Sequence, residues 1–419
     1  MRNRDYFKGK KITIVGLARS GLACAGLLHD SGAMVCVTDN KDDQLTRTNA
    51  EALKNKDIKI ELGRHSREFV EDRDLIVISP GVPDAAVPIV WAKQARIPVL
   101  SEIEVASVLC PATIIAITGT NGKTTVTTLI GKVLEAHGKK VFVCGNIGNP
   151  FAAEVAKTNA SDFVSLEVSS FQLEHIVNFK PKISVILNLS RNHLDRYADM
   201  QEYAAAKKRI FMNQDQDDHL VLNADDPAIK DLAQETKAKV AYFSQSSGLN
   251  PNQAAVMVLS LILGLDKNLV LRVFKEFNGV QHRLESVAEI HQVKFINDSK
   301  ATTVDAAIWA LKNTPGPVIL IAGGREKGND YSIILDLLKN KVKEAILIGE
   351  AKEKIKSAFK GYVAVEEALT LQDAVKKAFG KAQPGDCVLL SPMCKSFDMF
   401  TDYEERGRVF KKAVEDLVQ

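Results

Sequence analysis

Long apolar runs are missing from this chain. The nearest approach to a membrane span, Val256 to Leu265, is far short of the about 18 residues that a spanning helix needs, so none is expected. Met1 to Lys11 is polar and charged, without the apolar centre of a secretory leader, which makes the cytoplasm the expected compartment. A surplus of one charge is also missing. Lys and Arg number 55 against 52 Asp and Glu, a formal net charge of +3. That balance argues against nucleic acid or an anionic membrane as the main partner, while leaving room for a local phosphate site. Paired cysteines are absent too. Cys24, Cys36, Cys110, Cys144, Cys387 and Cys394 contain no C-x-x-C spacing, so neither a zinc site nor a disulfide framework is expected, only buried thiols in a reducing compartment. Aromatic residues are only 6% of the chain and provide few stacking platforms.

What remains is ordinary for a folded protein: 419 residues, 46% hydrophobic and 26% charged, enough for two to four domains at roughly 100–200 residues each. Three blocks of alternating strand and helix signals appear. The first contains Lys11-Ile-Thr-Ile-Val-Gly16, a helix pattern from Gly21 to Ser31, and the strand candidates Met34 to Thr38 and Leu75 to Ile78. The second has strand candidates Ala112 to Ile117, Val141 to Cys144, Phe163 to Leu166, Ile183 to Leu187 and His219 to Leu222, with a helix from Thr124 to His137. The third has Lys294 to Ile296, Pro317 to Ile321, Glu344 to Ile348 and Asp386 to Leu390. Repeated βαβ units predict parallel sheets. The expected class is α/β in three domains: 1–101, Rossmann-like; 102–279, a central domain with a mostly parallel sheet; and 280–419, again Rossmann-like. The Lys-rich stretch Lys339 to Lys356 reads as a solvated helix and edge.

The sharpest local signal is Ile117-Thr118-Gly119-Thr120-Asn121-Gly122-Lys123-Thr124-Thr125, between a buried strand and a helix. Glycines let backbone N–H groups turn toward a phosphate, the helix N-terminus adds a favourable dipole, Lys123 reaches terminal phosphates and the Thr124 hydroxyl suits Mg²⁺. The full phosphate-loop motif would have glycine at 117, so this is a short form. A second turn, Gly16-Leu17-Ala18-Arg19-Ser20-Gly21, with Asp39 ending the next strand, resembles a dinucleotide fingerprint. The Ala18 methyl stands where close approach of a pyrophosphate needs glycine. Three readings stay open here: a dinucleotide site, a plain structural turn, or a site for another nucleotide-linked ligand.

Further along lie Cys144-Gly-Asn-Ile-Gly148, Leu166-Glu-Val-Ser-Ser-Phe-Gln-Leu-Glu174, Asn192-His-Leu-Asp-Arg-Tyr197, Ala206-Lys-Lys-Arg-Ile-Phe211, His282-Arg-Leu-Glu285, Asn297-Asp-Ser-Lys-Ala-Thr302, Ser391-Pro-Met-Cys-Lys-Ser-Phe-Asp-Met-Phe400 and Tyr403-Glu-Glu-Arg-Gly-Arg408. Together with the phosphate loop, this ordered set resembles the Mur ligase family, ATP-dependent enzymes that form amide bonds and that include folylpolyglutamate synthases. The C-terminal motifs resemble the branch that adds D-glutamate to UDP-N-acetylmuramoyl-L-alanine in peptidoglycan precursor synthesis. The resemblance implies ATP and Mg²⁺, two ions being expected, with those two small molecules as substrates and a monomeric enzyme.

The same resemblance implies roles. Gly119 to Thr125, with Lys123, would hold the ATP phosphates. Arg283, Asp298 and Lys300 would add contacts from the third domain, and Asn252 would approach the adenine. Thr124 and Glu167 would bind one Mg²⁺; His193 and Lys207 would serve the second, with Lys207 carried as a carbamate. The UDP-sugar substrate would meet Leu17, Ala18, Arg19, Ser20, Asp39, Asn40, Pro80 and Gly81, then Asn146, Ser169 and His193. D-Glutamate would meet Thr302, Lys327, Ser396 and Tyr403. Read without the resemblance, Lys207 is an ordinary surface lysine on a helix from Gln201 to Asn213, His282 is structural, and His65, His137 and His175 carry no partner signal. The chain departs from the family pattern twice. Asn192 stands where an acidic residue is usual, and the segment from Phe243 to Ala255 is short, which puts adenine contacts and part of the central sheet in question. The alternatives are therefore another Mur-type amino-acid ligase, or a nucleotide-binding protein with impaired catalysis.

Overall fold

In the computed structural model, which describes residues 4–190, 196–245, 248–277, 279–326 and 328–417, the chain divides into two compact units, Met1–Phe277 and Asn278–Gln419. The first is built on two parallel sheets and the second on one mostly parallel sheet, and the expected three α/β domains are present.

The first sheet holds five parallel strands in the order β3-β2-β1-β4-β5: β1 (Lys11–Val15), β2 (Met34–Asp39), β3 (Lys59–Leu62), β4 (Leu75–Ile78) and β5 (Val99–Ser101). Leu75-Ile-Val-Ile78 is buried along its whole length, as a strand covered on both faces must be. β1 lies between β2 and β4, with Val15 level with both Thr38 and Ile78. The turn after β1, the end of β2 and the Pro80-Gly81 loop therefore share one edge, where the strand order reverses. In open α/β sheets that crevice is the place for a ligand.

The second sheet follows the same rule with six parallel strands, ordered β11-β10-β9-β6-β8-β7: β6 (Thr113–Thr118), β7 (Val141–Gly145), β8 (Phe163–Glu167), β9 (Ile183–Ile186), β10 (His219–Asn223) and β11 (Lys239–Phe243). β6 sits between β8 and β9, with Ile117 opposite Glu167 and Thr118 opposite Ile186. This register brings the phosphate loop and Glu167 to one sheet edge. One apolar cluster packs Ile115, Ile117 and Val185 under the helices Lys123–Ala136 and Pro251–Ile262; another covers the opposite face and runs on into the first sheet. Six strands of the central sheet pair without a break up to the shortened segment. β11 pairs with β10 through Phe243, and Asn250 caps the next helix reciprocally with Gln253.

The C-terminal unit carries six strands, ordered β12-β13-β17-β14-β15-β16: β12 (Glu285–Ile290), β13 (Val293–Asn297), β14 (Val318–Gly323), β15 (Val342–Ile348), β16 (Ala364–Glu367) and β17 (Cys387–Leu390). All pairs are parallel except β12 with β13, a hairpin whose two turn residues, His291 and Gln292, both have positive φ. The Lys339 to Lys356 reading needs correction. Its middle is β15, hydrogen-bonded on both sides and buried from Ala345 to Ile348; Lys343 lies near the start of that strand, and the other lysines lie in the two flanking helices. No disulfide forms among the described residues, which include all six cysteines. No helix among them is long and apolar enough to cross a membrane.

Candidate functional site

The phosphate loop is formed by the passage from β6 into the helix Lys123–Ala136. Gly119 (φ +149°) and Gly122 (φ +83°) hold backbone angles that side chains disfavour, and a Cβ on Gly122 would lie 2.5 Å from Oδ1 of Asn252. Asn252 is thus packed onto the loop. Asn188, which no motif flagged, shapes the loop from β9: its carbonyl accepts the Thr120 N–H at 3.0 Å, and its side chain accepts from the Asn121 N–H at 2.8 Å. Thr120 and Asn121 therefore fix the loop's form, and the first turn of the helix supplies the N–H groups a phosphate needs. Thr124 is buried at that turn, and Thr125 is half-buried beside it. The Lys123 ammonium folds over the loop and donates to the carbonyls of Gly119 and Thr120, both at 2.9 Å.

Beneath the loop lies a charged cluster. Lys207 is only 2% exposed, so it is not the surface lysine that the helix pattern alone suggested. Its Nζ donates to the Gly119 carbonyl at 3.0 Å and lies 4.8 Å from the centre of the Tyr203 ring. Burial, reinforced by the Lys123 charge and opposed by Glu167, lowers its pKa well below that of a free lysine. Neighbouring Lys208 is the solvated one, paired with Glu235 at 2.7 Å. Glu167 is buried at the end of β8. Asn146 donates to its Oε1 at 2.8 Å, while Oε2 is buried with no hydrogen-bond partner. An orphaned buried carboxylate oxygen is costly unless a cation meets it. Hard oxygen donors from Glu167 and Thr124 are the kind Mg²⁺ selects, so the residues fit that ion.

In the first sheet the expected dinucleotide-like turn is tightly tied. Asp39 accepts from the N–H of Leu17 at 2.6 Å through one oxygen and from that of Lys41 at 2.9 Å through the other. Its first task is thus to hold the turn, and Asn49 donates to the Leu17 carbonyl at 2.8 Å. Leu17 is buried; Ala18, Arg19, Asn40 and Gly81 are exposed, and Ser20 and Pro80 are half-buried. Arg196 links this sheet's loops to the central domain. It donates to Glu174 at 3.0 Å and to the Pro80 carbonyl at 3.4 Å, and lies 4.2 Å from the Phe171 ring centre. Tyr197 also donates to Glu174. The sequence reading quoted this run but gave Arg196 no role; an arginine shows its partners only once the chain is folded. Ser169 caps the short helix Ser170–Leu173 with Gln172, close in sequence to Glu167. His193 and Asn192 lie outside the described residues.

In the C-terminal unit, Asp298 is buried after β13. It accepts from the Leu284 N–H at 3.2 Å and from the Ser391 hydroxyl at 3.1 Å. Burial pushes its pKa up to about 7, against those two donors and the Arg283 charge. Lys300 lies over the Tyr403 ring, 5.5 Å from its centre, and the Thr302 N–H turns back to the Lys300 carbonyl at 2.8 Å. Ser396 is buried where the Arg325–Lys395 bridge brings two loops together. Arg406, fully buried and missed by the sequence reading, donates to Ser299 and to the Cys394 carbonyl, tying the Asp298–Thr302 loop to the Ser391–Phe400 loop. His282 is structural, as expected, bonded to Asn297 at 2.9 Å. Lys327 lies outside the described residues.

A phosphate loop at one sheet edge, with an orphaned carboxylate oxygen and a buried amine beneath it, is the arrangement of a nucleotide-using α/β enzyme. Three family models match in chain order: the Mur ligase MurD-like N-terminal domain over residues 10–101, the Mur ligase middle domain over 117–261, and the Mur ligase glutamate ligase domain over 282–394. The chain belongs to the Mur ligase family. Curated relatives named UDP-N-acetylmuramoylalanine–D-glutamate ligase include that of Geotalea uraniireducens, 43% identical over 97% of this chain and 98% of the relative, and that of Chloroherpeton thalassium, 40% identical over 99% of each. The first alignment runs over 442 positions, more than the 419 residues of this chain, so that relative carries residues absent here. Among solved structures, the UDP-N-acetylmuramate–alanine ligase of Thermotoga maritima matches with TM-score 0.61 at 19% identity, over 97% of this chain and all of that one. A MurF ligase from Thermotoga maritima in complex with ADP matches with TM-score 0.60 at 14% identity, over 100% and 98%. These likenesses show a shared fold.

Proposed function

We propose that this chain is an ATP-dependent ligase that joins D-glutamate to UDP-N-acetylmuramoyl-L-alanine, making a peptidoglycan precursor. The carboxylate of the alanyl group attacks the γ-phosphorus of ATP, releasing ADP and leaving an acyl phosphate. The D-glutamate amine then attacks that carbonyl, and phosphate departs from the tetrahedral adduct. Such chemistry asks the protein mainly to align groups and to offset phosphate charge.

The cluster of Lys123, Glu167 and Lys207 at the phosphate loop carries this reading. Lys123 and the first helical turn bind the polyphosphate. Glu167 and Thr124 would hold one Mg²⁺, and such an ion would supply charge neutralisation at the phosphates. Lys207 has the neutral-leaning amine that addition to CO₂ requires; the reaction releases a proton and leaves a carbamate, converting a cation into an oxygen ligand that His193 would join at a second ion. Arg283, Asp298, Lys300 and Asn252 serve the nucleotide. Thr302, Lys327, Ser396 and Tyr403 receive D-glutamate; the Leu17–Ser20 turn, Asp39, Asn40, Pro80, Gly81, Asn146 and Ser169 receive the UDP-sugar. The enzyme is expected to act as a monomer in the cytoplasm.

The test is phosphate release with Mg²⁺, ATP, UDP-N-acetylmuramoyl-L-alanine and either enantiomer of glutamate. Release that requires all four components and D-glutamate supports the reading. Equal release with L-glutamate overturns its stereochemical part, release with another amino acid assigns a different Mur-type ligase, and ATP binding without turnover under every combination leaves a nucleotide-binding protein.

A further inference from the structure

Arg283 stands on a strained turn. Gly279, His282 and Leu284 all have positive φ, and the last two flank Arg283 directly although neither is glycine. Such backbone persists only where its surroundings over-determine it, and it concentrates at functional positions. Here the constraints are plain. The His282 N–H donates to Glu285 at 2.8 Å and that of Leu284 to Asp298 at 3.2 Å, while the His282 carbonyl accepts from the Lys300 N–H at 3.0 Å. The His282 ring is packed so tightly on Gly407 that a Cβ there would lie 2.1 Å from Nδ1. The backbone of Arg283 is therefore fixed, while its long side chain is half-exposed.

Its aromatic neighbour is Trp309. It projects from the helix Val304–Asn313, is 43% exposed, and has its ring centre 5.8 Å from the Arg283 guanidinium carbon. In a chain with two tryptophans, an indole left this open is unusual enough to ask what it does. A guanidinium can cover an aromatic ring with its planar face and still present N–H donors around its edge. Ring and phosphate therefore do not compete for Arg283.

We propose that Trp309 is a positioning residue that holds the Arg283 guanidinium with its edge free for a nucleotide polyphosphate. This rests on the ligase reading, in which Arg283 meets ATP. Without the indole the side chain is released to other rotamers, including those directed at Asp298, and binding must then order it again.

The experiment compares Trp309→Phe, Trp309→Leu and Trp309→Ala in the D-glutamate-dependent phosphate-release assay, each alone and with Arg283→Ala. Trp309→Ala should lower kcat/KM for ATP roughly two- to five-fold, the scale of an exposed cation–π contact, with the loss in KM. Trp309→Phe should recover most of it, Trp309→Leu should not, and none should lower activity further once Arg283 is Ala. A second readout needs no catalysis. In a Trp91→Phe background, which should keep wild-type activity, Trp309 is the sole indole, and Arg283→Ala should change its emission before any nucleotide is added. Unchanged kcat/KM in Trp309→Ala, an equal further loss on top of Arg283→Ala, or unaltered emission on removing Arg283 would each overturn the proposal. If the wild type itself releases no phosphate with D-glutamate, the ligase reading fails instead, and the emission measurement still decides whether the two side chains are coupled.

Discussion

At the scale of single residues, Lys207 is the most exacting case. An ammonium this deeply buried, beside another lysine and one carboxylate, is driven toward its neutral form. Lys207→Ala should abolish phosphate release by at least roughly 100-fold, the scale for losing one well-placed charge-stabilising group, without unfolding the chain. If a carbamate is the working form, acetate or formate added to that variant should restore part of the rate, and a fully active Lys207→Ala would remove the carbamate from the mechanism. Glu102 carries a different consequence. It is fully buried, accepts the Ala152 N–H through Oε1, and leaves Oε2 without a partner; burial raises its pKa to about 7. The unfolded carboxyl releases its proton near 4.5, while the folded one keeps it to about 7. The folded state thus binds the extra proton between those values, and its contribution is complete below the lower one and lost as pH rises through the higher. The loss amounts to roughly 3 kcal/mol. Glu102→Gln, which mimics the protonated acid, should unfold at higher urea than wild type at pH 8 and at the same urea near pH 4.5. A gap that does not shrink on acidification would exclude this source.

At the scale of elements, the phosphate loop is held by backbone that only glycine adopts easily. Gly122→Ala meets both a positive φ, worth about 1–2 kcal/mol, and the Asn252 side chain. Nucleotide affinity should fall sharply in a calorimetric titration, with stability lowered by about that much. Adding Asn252→Ala should relieve the collision but not the backbone strain, so partial recovery of stability is expected, and full recovery would place the whole effect in packing. The same loop shows what the sequence made readable. A continuous apolar strand followed by Gly, Lys and Thr is local chemistry, and β6 with its helix falls within a residue or so of expectation. β3, β5, β11, β12 and β16 gave no sequence signal, because short or half-exposed strands such as Val99–Ser101 and Glu285–Ile290 carry little periodic pattern and take their identity from a neighbouring strand. The burial of Lys207, the clamp of Asn188 on the loop and the reach of Arg196 to Pro80 are tertiary facts with no periodic signature. The family resemblance supplied a role for Lys207, but only packing shows that its amine is dry. The short Phe243–Ala255 segment bears on the sheet's edge: the six parallel strands are all paired, and the last of them ends at Phe243, where the short connection begins.

At the scale of the whole molecule, chemistry and folding divide differently along the chain. The phosphate loop, Glu167 and Lys207 all lie in Met1–Phe277, whereas Arg283, Asp298 and the expected amino-acid contacts lie in Asn278–Gln419. The second unit has its own six-stranded sheet with an apolar cluster on each face, one around Leu320 and Leu389, the other around Phe295 and Phe410. A segment of this size with both sheet faces covered has what independent folding requires. Residues 278–419 expressed alone should therefore unfold in one cooperative urea transition, with Trp309 emission following the far-ultraviolet signal. Residues 1–277 should bind nucleotide through the intact loop yet release no phosphate with both substrates present, since the groups assigned to D-glutamate are absent. Mixing the two pieces, each folded, gives the decisive comparison. If the first piece alone turned over ATP as fast as the full chain with D-glutamate present, the C-terminal residues would have no part in the reaction, and the assignment of Thr302, Ser396 and Tyr403 would fall with it.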